Sequence, residues 1–341
     1  MAEIKLIDKV RQFLAPIQGR DVDLKGLRQE LKIDPNSPAW EGLRVILYRL
    51  CEGEHPVLRP TGKRDGSYHV ITQVSPIQVF GLDRERRPPY VLIFPKDRDT
   101  GLEMFFAESV VVREGDLILI AGRSNFGKTT LTMNMLGENI DKNPVLMGNE
   151  FTVIGEKEQW IPAPRFLTRL DNMNWVQWCN GDGREKFELL PVRDDYASHI
   201  QRDRINIIDW INIDTGEHYM IGSILEQIKR RLGRGIAIIA IQKAAGAETG
   251  RGGQFTQDFA DCELLLDALG KDEILLTMGK VKESKGRLYG KTYGYSLWNG
   301  VEIRNFREVV ACPVCKGSGY VKGMKCDNCF GQKYIDKKGD L

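Results

Sequence analysis

The stretch Gly122-Arg123-Ser124-Asn125-Phe126-Gly127-Lys128-Thr129 constrains the fold of this chain more than any other. Its spacing, G-x-x-x-x-G-K-[ST], is that of a phosphate-binding loop. The short apolar run Leu117-Ile118-Leu119-Ile120-Ala121 precedes it and reads as a buried parallel strand. Behind it, Leu131, Met135 and Leu136 share one helical face. Strand, glycine-rich turn and helix in that order aim backbone N–H groups and a positive helix end at a polyphosphate. Gly122 and Gly127 permit backbone angles that a side chain forbids. Lys128 is expected to neutralise β- and γ-phosphates, and the Thr129 hydroxyl to hold Mg²⁺. Arg123 to Phe126 and Thr130 complete the expected nucleotide contacts.

More strand ends converge on the same edge. Val145–Glu150 reads as a second strand ending in a carboxylate, and Arg204–Asp209 as a third. Gly235–Gln242 reads as a fourth, ending in an amide. The helix 221–232 lies between the last two and stops at Gly233. Strands alternating with helices predict a doubly wound, mainly parallel α/β sheet, whose ligands sit at the carboxyl edge. Asp209 has the position of a Walker B carboxylate that holds Mg²⁺. Cys262–Asp267, Ile274–Met278 and Tyr293–Trp298 add further strands. The segment 155–200, rich in Trp and charge, reads only as a helix–strand excursion of the core.

Residues 1–72 form a smaller unit. Ile4, Leu6, Ile7, Val10, Phe13 and Leu14 make a helical stripe. Asp23 is placed to cap a second helix carrying Leu24, Leu27 and Leu31. Ser37-Pro38 starts a third, with Leu43, Ile46, Leu47 and Leu50 inward. A basic hairpin follows, turning at Gly62–Gly66. Three helices and a basic hairpin resemble a winged helix-turn-helix. That resemblance implies DNA contacts from Arg44 and Arg49 on the third helix and from Arg59, Lys63 and Arg64 on the wing. A helical protein-interaction module with solvated charges is the other reading of the same residues. Residues 73–110 read as a linker with extended segments, among them the strand Tyr90–Phe94, and 111–308 as the core.

The tail, 309–341, carries Cys312-x-x-Cys315 and Cys326-x-x-Cys329, with ten residues between the pairs. Four thiolates at that spacing can close a tetrahedral zinc site, whose binding energy folds a segment too small to fold alone. The pattern also resembles the zinc modules of the DnaJ chaperone family. The other cysteines, Cys51, Cys179 and Cys262, read as structural thiols. A formal net charge of +2 puts any nucleic-acid footprint in local patches. No apolar run reaches membrane-spanning length, and the charged start is unlike a signal peptide. A cytoplasmic protein with no membrane partner is therefore expected.

The order of elements over roughly 110–305 resembles the RecA/DnaB-like branch of P-loop ATPases. The resemblance implies that Glu150 activates the attacking water and Gln242 senses the γ-phosphate. It also implies that the glycine-rich loop 244–257, with Arg251, faces a nucleic-acid channel. Lys280-Val281-Lys282 matches a basic pair that in this superfamily reaches the neighbouring subunit's nucleotide. Both lysines lack an obvious partner within one chain. The implied protein is a DNA-binding ATPase forming a ring or filament, using ATP and Mg²⁺, in replication or recombination. An ATP-timed regulatory switch, with the winged helix on a promoter or protein, is the alternative.

Overall fold

Apolar residues spaced three and four apart make the first part of the chain helical, and short alternating runs close it with a sheet. The computed structural model describes residues 5–52, 56–76, 88–148, 150–211, 220–243, 249–250 and 252–337. The chain divides into two compact units, Met1–Arg86 and Arg87–Leu341.

The first unit contains α1 (Leu6–Leu14), β1 (Asp21–Asp23), α2 (Leu24–Glu30), α3 (Pro38–Leu50), β2 (Leu58–Pro60) and β3 (Ser67–Val70). The strands form an antiparallel sheet in the order β1-β3-β2. Val10, Leu14, Leu27, Leu43, Leu47, Leu50, Leu58 and Val70 are its buried core. Each such aliphatic side chain contributes about 1.5–3 kcal/mol on full burial. Asp23 caps α2, accepting from Gly26 N at 2.7 Å. Ser37 occupies the cap position of α3, yet its hydroxyl donates to Asp34 O at 2.7 Å, so Pro38 starts that helix without a side-chain cap. β1 was not expected, because three residues are too few to show alternation.

The second unit is built on one ten-stranded sheet. In chain order it holds β4 (Leu117–Gly122), α4 (Lys128–Glu138), β5 (Val145–Met147), the hairpin β6 (Thr152–Ile154) and β7 (Trp160–Pro162), α5 (Pro164–Asn172), β8 (Glu188–Leu190), α6 (Tyr196–His199), β9 (Ile205–Ile208), α7 (Ile221–Arg231), β10 (Ile236–Gln242), α8 (Gln254–Phe259), β11 (Cys262–Leu269), β12 (Glu273–Val281), β13 (Thr292–Trp298), β14 (Glu302–Ala311), β15 (Tyr320–Val321), β16 (Met324–Lys325) and β17 (Tyr334–Asp336). Six neighbouring strands are parallel, in the order β11-β4-β10-β9-β5-β8. β12, β13, β14 and β17 extend the sheet antiparallel from β11. Central β4 is buried on both faces. Ile118 and Ile120 join Leu131, Met135 and Leu136 on one side, while Leu117, Leu119 and Ala121 join Leu225 and Ile228 of α7 on the other. That is why its sequence shows no polar alternation.

Two expectations about boundaries meet a different arrangement. Residues 88–110 belong to the second unit's core: Phe94, Met104 and Phe106 are each 1% exposed. Tyr90–Phe94 does not pair as a strand. Instead the Asn139 side chain at the end of α4 accepts from Ile93 N at 3.0 Å and donates to Ile93 O at 2.7 Å. The expected tail boundary at 308/309 falls inside β14, and β17 pairs with that strand through Val309, Val310 and Ala311. The cysteine module therefore continues the sheet. No helix among the described residues is long and apolar enough to cross a membrane.

Candidate functional site

β4 delivers the glycine-rich loop at the carboxyl edge of the parallel strands. Gly127, at φ +76, caps α4 in the left-handed region that favours glycine. Arg123, Ser124 and Asn125 form the exposed crest, and the Arg123 guanidinium lies over the Phe126 ring at 5.2 Å. Lys128 is 6% exposed and donates from Nζ to Arg123 O at 2.8 Å, which holds its ammonium inside the loop. Thr130 turns its hydroxyl to Gly300 O at 2.7 Å, leaving its backbone N–H as the group able to meet a phosphate.

Asp209 follows β9 at the foot of this loop and is 1% exposed. Its Oδ2 accepts from Thr132 Oγ1 at 2.9 Å, and the Thr129 hydroxyl is near enough to favour the charged form of the same carboxylate. Oδ1 has no hydrogen-bond partner among the described residues. Burial drives the Asp209 pKa upward, and the Glu150 charge adds to this; Thr129, Thr132 and Lys128 pull the other way. A buried carboxylate with a vacant lone pair beside a threonine hydroxyl fits Mg²⁺, which takes one or two protein oxygens and otherwise water and phosphate. Gly148 is required here: a Cβ on it would overlap the Asp209 carbonyl oxygen. Thr132 was not singled out from sequence. Its position three residues beyond Thr129 puts both hydroxyls on one helical face, and that spacing was the legible signal.

Glu150 follows β5 and is exposed, near enough for its charge to act on Asp209. Gln242 ends β10 directly opposite Gly122. The next residue, Lys243, went unnoticed in the sequence. It is 6% exposed, its N–H donates to Gly122 O at 3.1 Å, and its ammonium pairs with Asp267 of β11. Lys128, Glu150, Asp209 and Gln242 thus share one edge, with β10 inserted between β4 and β9.

Lys280 and Lys282 lie elsewhere. β12 runs antiparallel to β11, and Val281 stands opposite Cys262, which stands opposite Ile118. This is the amino edge of the sheet, four residues along β4 from Gly122, or roughly 13 Å at the usual rise per residue. The expectation that both lack partners is corrected. Lys280 Nζ donates to Gln257 O at 2.7 Å and Asp258 O at 3.2 Å. Lys282 pairs with Asp261 at 3.0 Å, and Lys229 of α7 pairs with the same carboxylate. Asp261 comes from a bend between α8 and β11, which local sequence does not connect to residue 282.

The cysteine module gathers Cys312, Cys315, Cys326 and Cys329, all buried, with their sulfurs within 4.8 Å of one another. Cys312 and Cys326 sulfurs are 3.8 Å apart, and Cys315 and Cys329 sulfurs 3.6 Å. A zinc ion with bonds of ~2.3 Å to a tetrahedron of sulfurs needs edges of ~3.8 Å. The four side chains therefore fit zinc. Asn328 Nδ2 donates to Cys312 Sγ at 3.2 Å and Gly319 N to Cys315 Sγ at 3.3 Å, the outer contacts a thiolate site needs. The Cys312 thiol is pulled down to about 6, first by the Cys315 backbone N–H and then by Asn328.

In the first unit, Arg44 and Arg49 project from exposed positions of α3, and Arg59, Lys63 and Arg64 from the hairpin β2–β3. Only a solvent-exposed contact of 3.5 Å joins Lys63 to Asp21. Arg251 lies outside the described residues.

No family model and no curated protein matches this chain. Solved structures do resemble it. A DnaB-like replicative helicase aligns at 12% identity and a TM-score of 0.39, over 57% of this chain and 59% of that one. This chain thus spans less than two thirds of the helicase's length. A KaiC-like protein from Pyrococcus horikoshii aligns at 15% identity and TM-score 0.44, over 64% of this chain and all of its own. A RadB recombinase aligns at 14% identity and TM-score 0.40, over 57% and 91%.

Proposed function

We propose that this chain is an ATPase that binds DNA and works as an assembly of copies. The observation that carries the reading is the buried Asp209 carboxylate, its Oδ1 unpartnered, held beside Thr129 at the foot of a phosphate-binding loop whose lysine is folded inward. Loop N–H groups and Lys128 would hold the β- and γ-phosphates, and Thr129 and Asp209 the Mg²⁺. When bound, the metal neutralises charge on the phosphates. Glu150, exposed at the next strand end, would take the proton of a water attacking the γ-phosphate in line. Gln242 would report the loss of that phosphate to the loop beyond β10.

Assembly belongs to this reading through Lys280 and Lys282. At the amino edge they are too far from their own chain's loop to touch its nucleotide, so a role in hydrolysis requires a neighbouring copy. The first unit supports a winged-helix reading through its three helices, three-stranded sheet and exposed arginines. It would contact duplex backbone, while the cysteine module would hold zinc as a structural element. A replication- or recombination-type role suits these parts together. The test is Mg²⁺-dependent ATP hydrolysis by the full chain and by Lys128→Ala, with and without DNA. Activity lost in the variant and raised by DNA in the parent is the expected result. Equal rates in both chains would refute it.

A further inference from the structure

The antiparallel half of the sheet offers a surface that the nucleotide site does not use. Thr277 stands opposite Thr292, Leu275 opposite Gly294, and Thr292 opposite Val309, so these residues share one face. The apolar cluster on it is small: Leu269, Leu275 and Val309, with Tyr334 of the cysteine module against them. A cavity of about 710 Å³ opens there between Lys243, Asp267, Tyr289 and the module's Lys333 and Tyr334. A second groove of about 470 Å³ shares Tyr289 and Tyr334 and adds Arg287, Lys291 and Glu308. The two share lining residues and form one trough across the strands to the cysteine module.

Charge around the trough is unevenly satisfied. Asp267 is paired with Lys243, Glu308 with Lys337, and Glu273 and Asp336 with Arg307. Each of these four carboxylates has a cation partner within the chain, with Glu273 and Asp336 sharing Arg307. Arg287, Lys291 and Lys333 are exposed and make no ion pair among the described residues. Between them Tyr289 stands 69% exposed. An aromatic ring flanked by unpaired cations, in a trough lined by Leu275, Thr277, Thr292 and Val309, is the chemistry that holds single-stranded nucleic acid. Bases stack on the ring and phosphates meet the cations.

We propose that this trough binds a single strand of nucleic acid, with a base on Tyr289 and backbone phosphates on Arg287, Lys291 and Lys333. The proposal rests on the nucleic-acid part of the function above but not on its hydrolysis chemistry. A B-form duplex is too wide and stiff to lay a base flat on Tyr289, so the trough selects the unpaired strand. The cysteine module then has a stated purpose: it fixes Lys333 and Tyr334 as one wall.

The experiment is fluorescence anisotropy of a labelled oligothymidylate with the full chain, without nucleotide, across a salt series, beside a duplex of equal length. Tyr289→Ala is expected to weaken single-strand binding about 5- to 150-fold, the range for one lost stack of ~1–3 kcal/mol. Tyr289→Phe keeps the ring and should bind as the parent does. Lys291→Glu and Lys333→Glu should each flatten the salt dependence by about 0.7. Duplex affinity should be unchanged in all four. Parental single-strand affinity and slope in Tyr289→Ala and Lys333→Glu would overturn the proposal. So would equal losses on duplex, or a parent that ignores oligothymidylate. If Tyr289→Ala instead alters self-association in sedimentation and leaves strand binding intact, the trough is an interface between copies and the proposal is wrong. Because nucleotide is absent, a failure of the ATPase reading cannot produce these results.

Discussion

Thr132 Oγ1 reaches from α4 to Asp209 Oδ2 at 2.9 Å, tying the phosphate-loop helix to a strand two positions away in the sheet. The contact is fully buried, and it orients a carboxylate whose other oxygen is unpartnered. Thr132→Val keeps the shape and removes the donor. A lost hydrogen bond to a charged group costs about 1.5–3 kcal/mol. Thermal melts should show that loss, and hydrolysis should need more Mg²⁺ for half-saturation. An unchanged Mg²⁺ requirement would make Thr132 a packing residue alone.

Asp209 makes stability depend on pH in an unusual direction. Burial raises its folded-state pKa above the unfolded value. Between the two, the native protein holds the extra proton, so stability falls as pH rises through that window. Asp209→Asn removes the burdened charge. Without nucleotide the variant should melt higher than the parent at neutral pH and lose this descending slope, while hydrolysis disappears. A variant that melts lower would show that Thr129, Thr132 and Lys128 already compensate the buried charge in the parent.

Asp261 behaves oppositely. Burial alone would raise its pKa, but Lys229, Leu117 N–H and Lys282 overcome this and hold it below the usual carboxylate range. Its contribution is therefore present above the unfolded pKa and lost as pH falls through the lower folded value. Asp261→Asn should blunt acid denaturation. The exposed Lys282 arm of the pair is worth little, ~0–1 kcal/mol, so Lys282→Ala should fold normally. If Lys282 acts on a neighbour's nucleotide, that variant binds ATP, hydrolyses it poorly, and regains activity when mixed with Lys128→Ala. A mixture without rescue assigns Lys282 to the Asp261 network only.

The cysteine module should carry a single zinc ion, lost in Cys312→Ser. Since β17 pairs with β14, metal removal should also loosen the sheet edge, read as faster amide exchange at Val309–Ala311. A metal-free parent with four freely reactive thiols would refute the site.

Local patterns were legible in the sequence where the physics is local. The phosphate loop, the Asp23 cap and the Cys-x-x-Cys pairs each need only a few consecutive residues. Strand order was not legible: that β10 separates β4 from β9 depends on β10 pairing with β4, as Ala237 with Leu117, more than a hundred positions away. Residues 88–110 read as a linker in sequence for the same reason. Their Pro-rich start breaks regular structure, while Phe94, Met104 and Phe106 find their partners in distant strands. Lys243 was hidden because a lysine after a buried strand ordinarily faces water, and only Asp267 across the sheet explains its burial.

The central claim is that the loop at Gly122–Thr129 and the carboxylates Glu150 and Asp209 form one ATP-hydrolysing site. Single-turnover hydrolysis of Mg²⁺-ATP by Glu150→Gln, compared with the parent at equal nucleotide occupancy, tests it most directly. Loss of a positioned base predicts full binding with chemistry slowed ~10²–10⁴-fold. Parental rates in that variant, or no nucleotide binding by the parent, would contradict it.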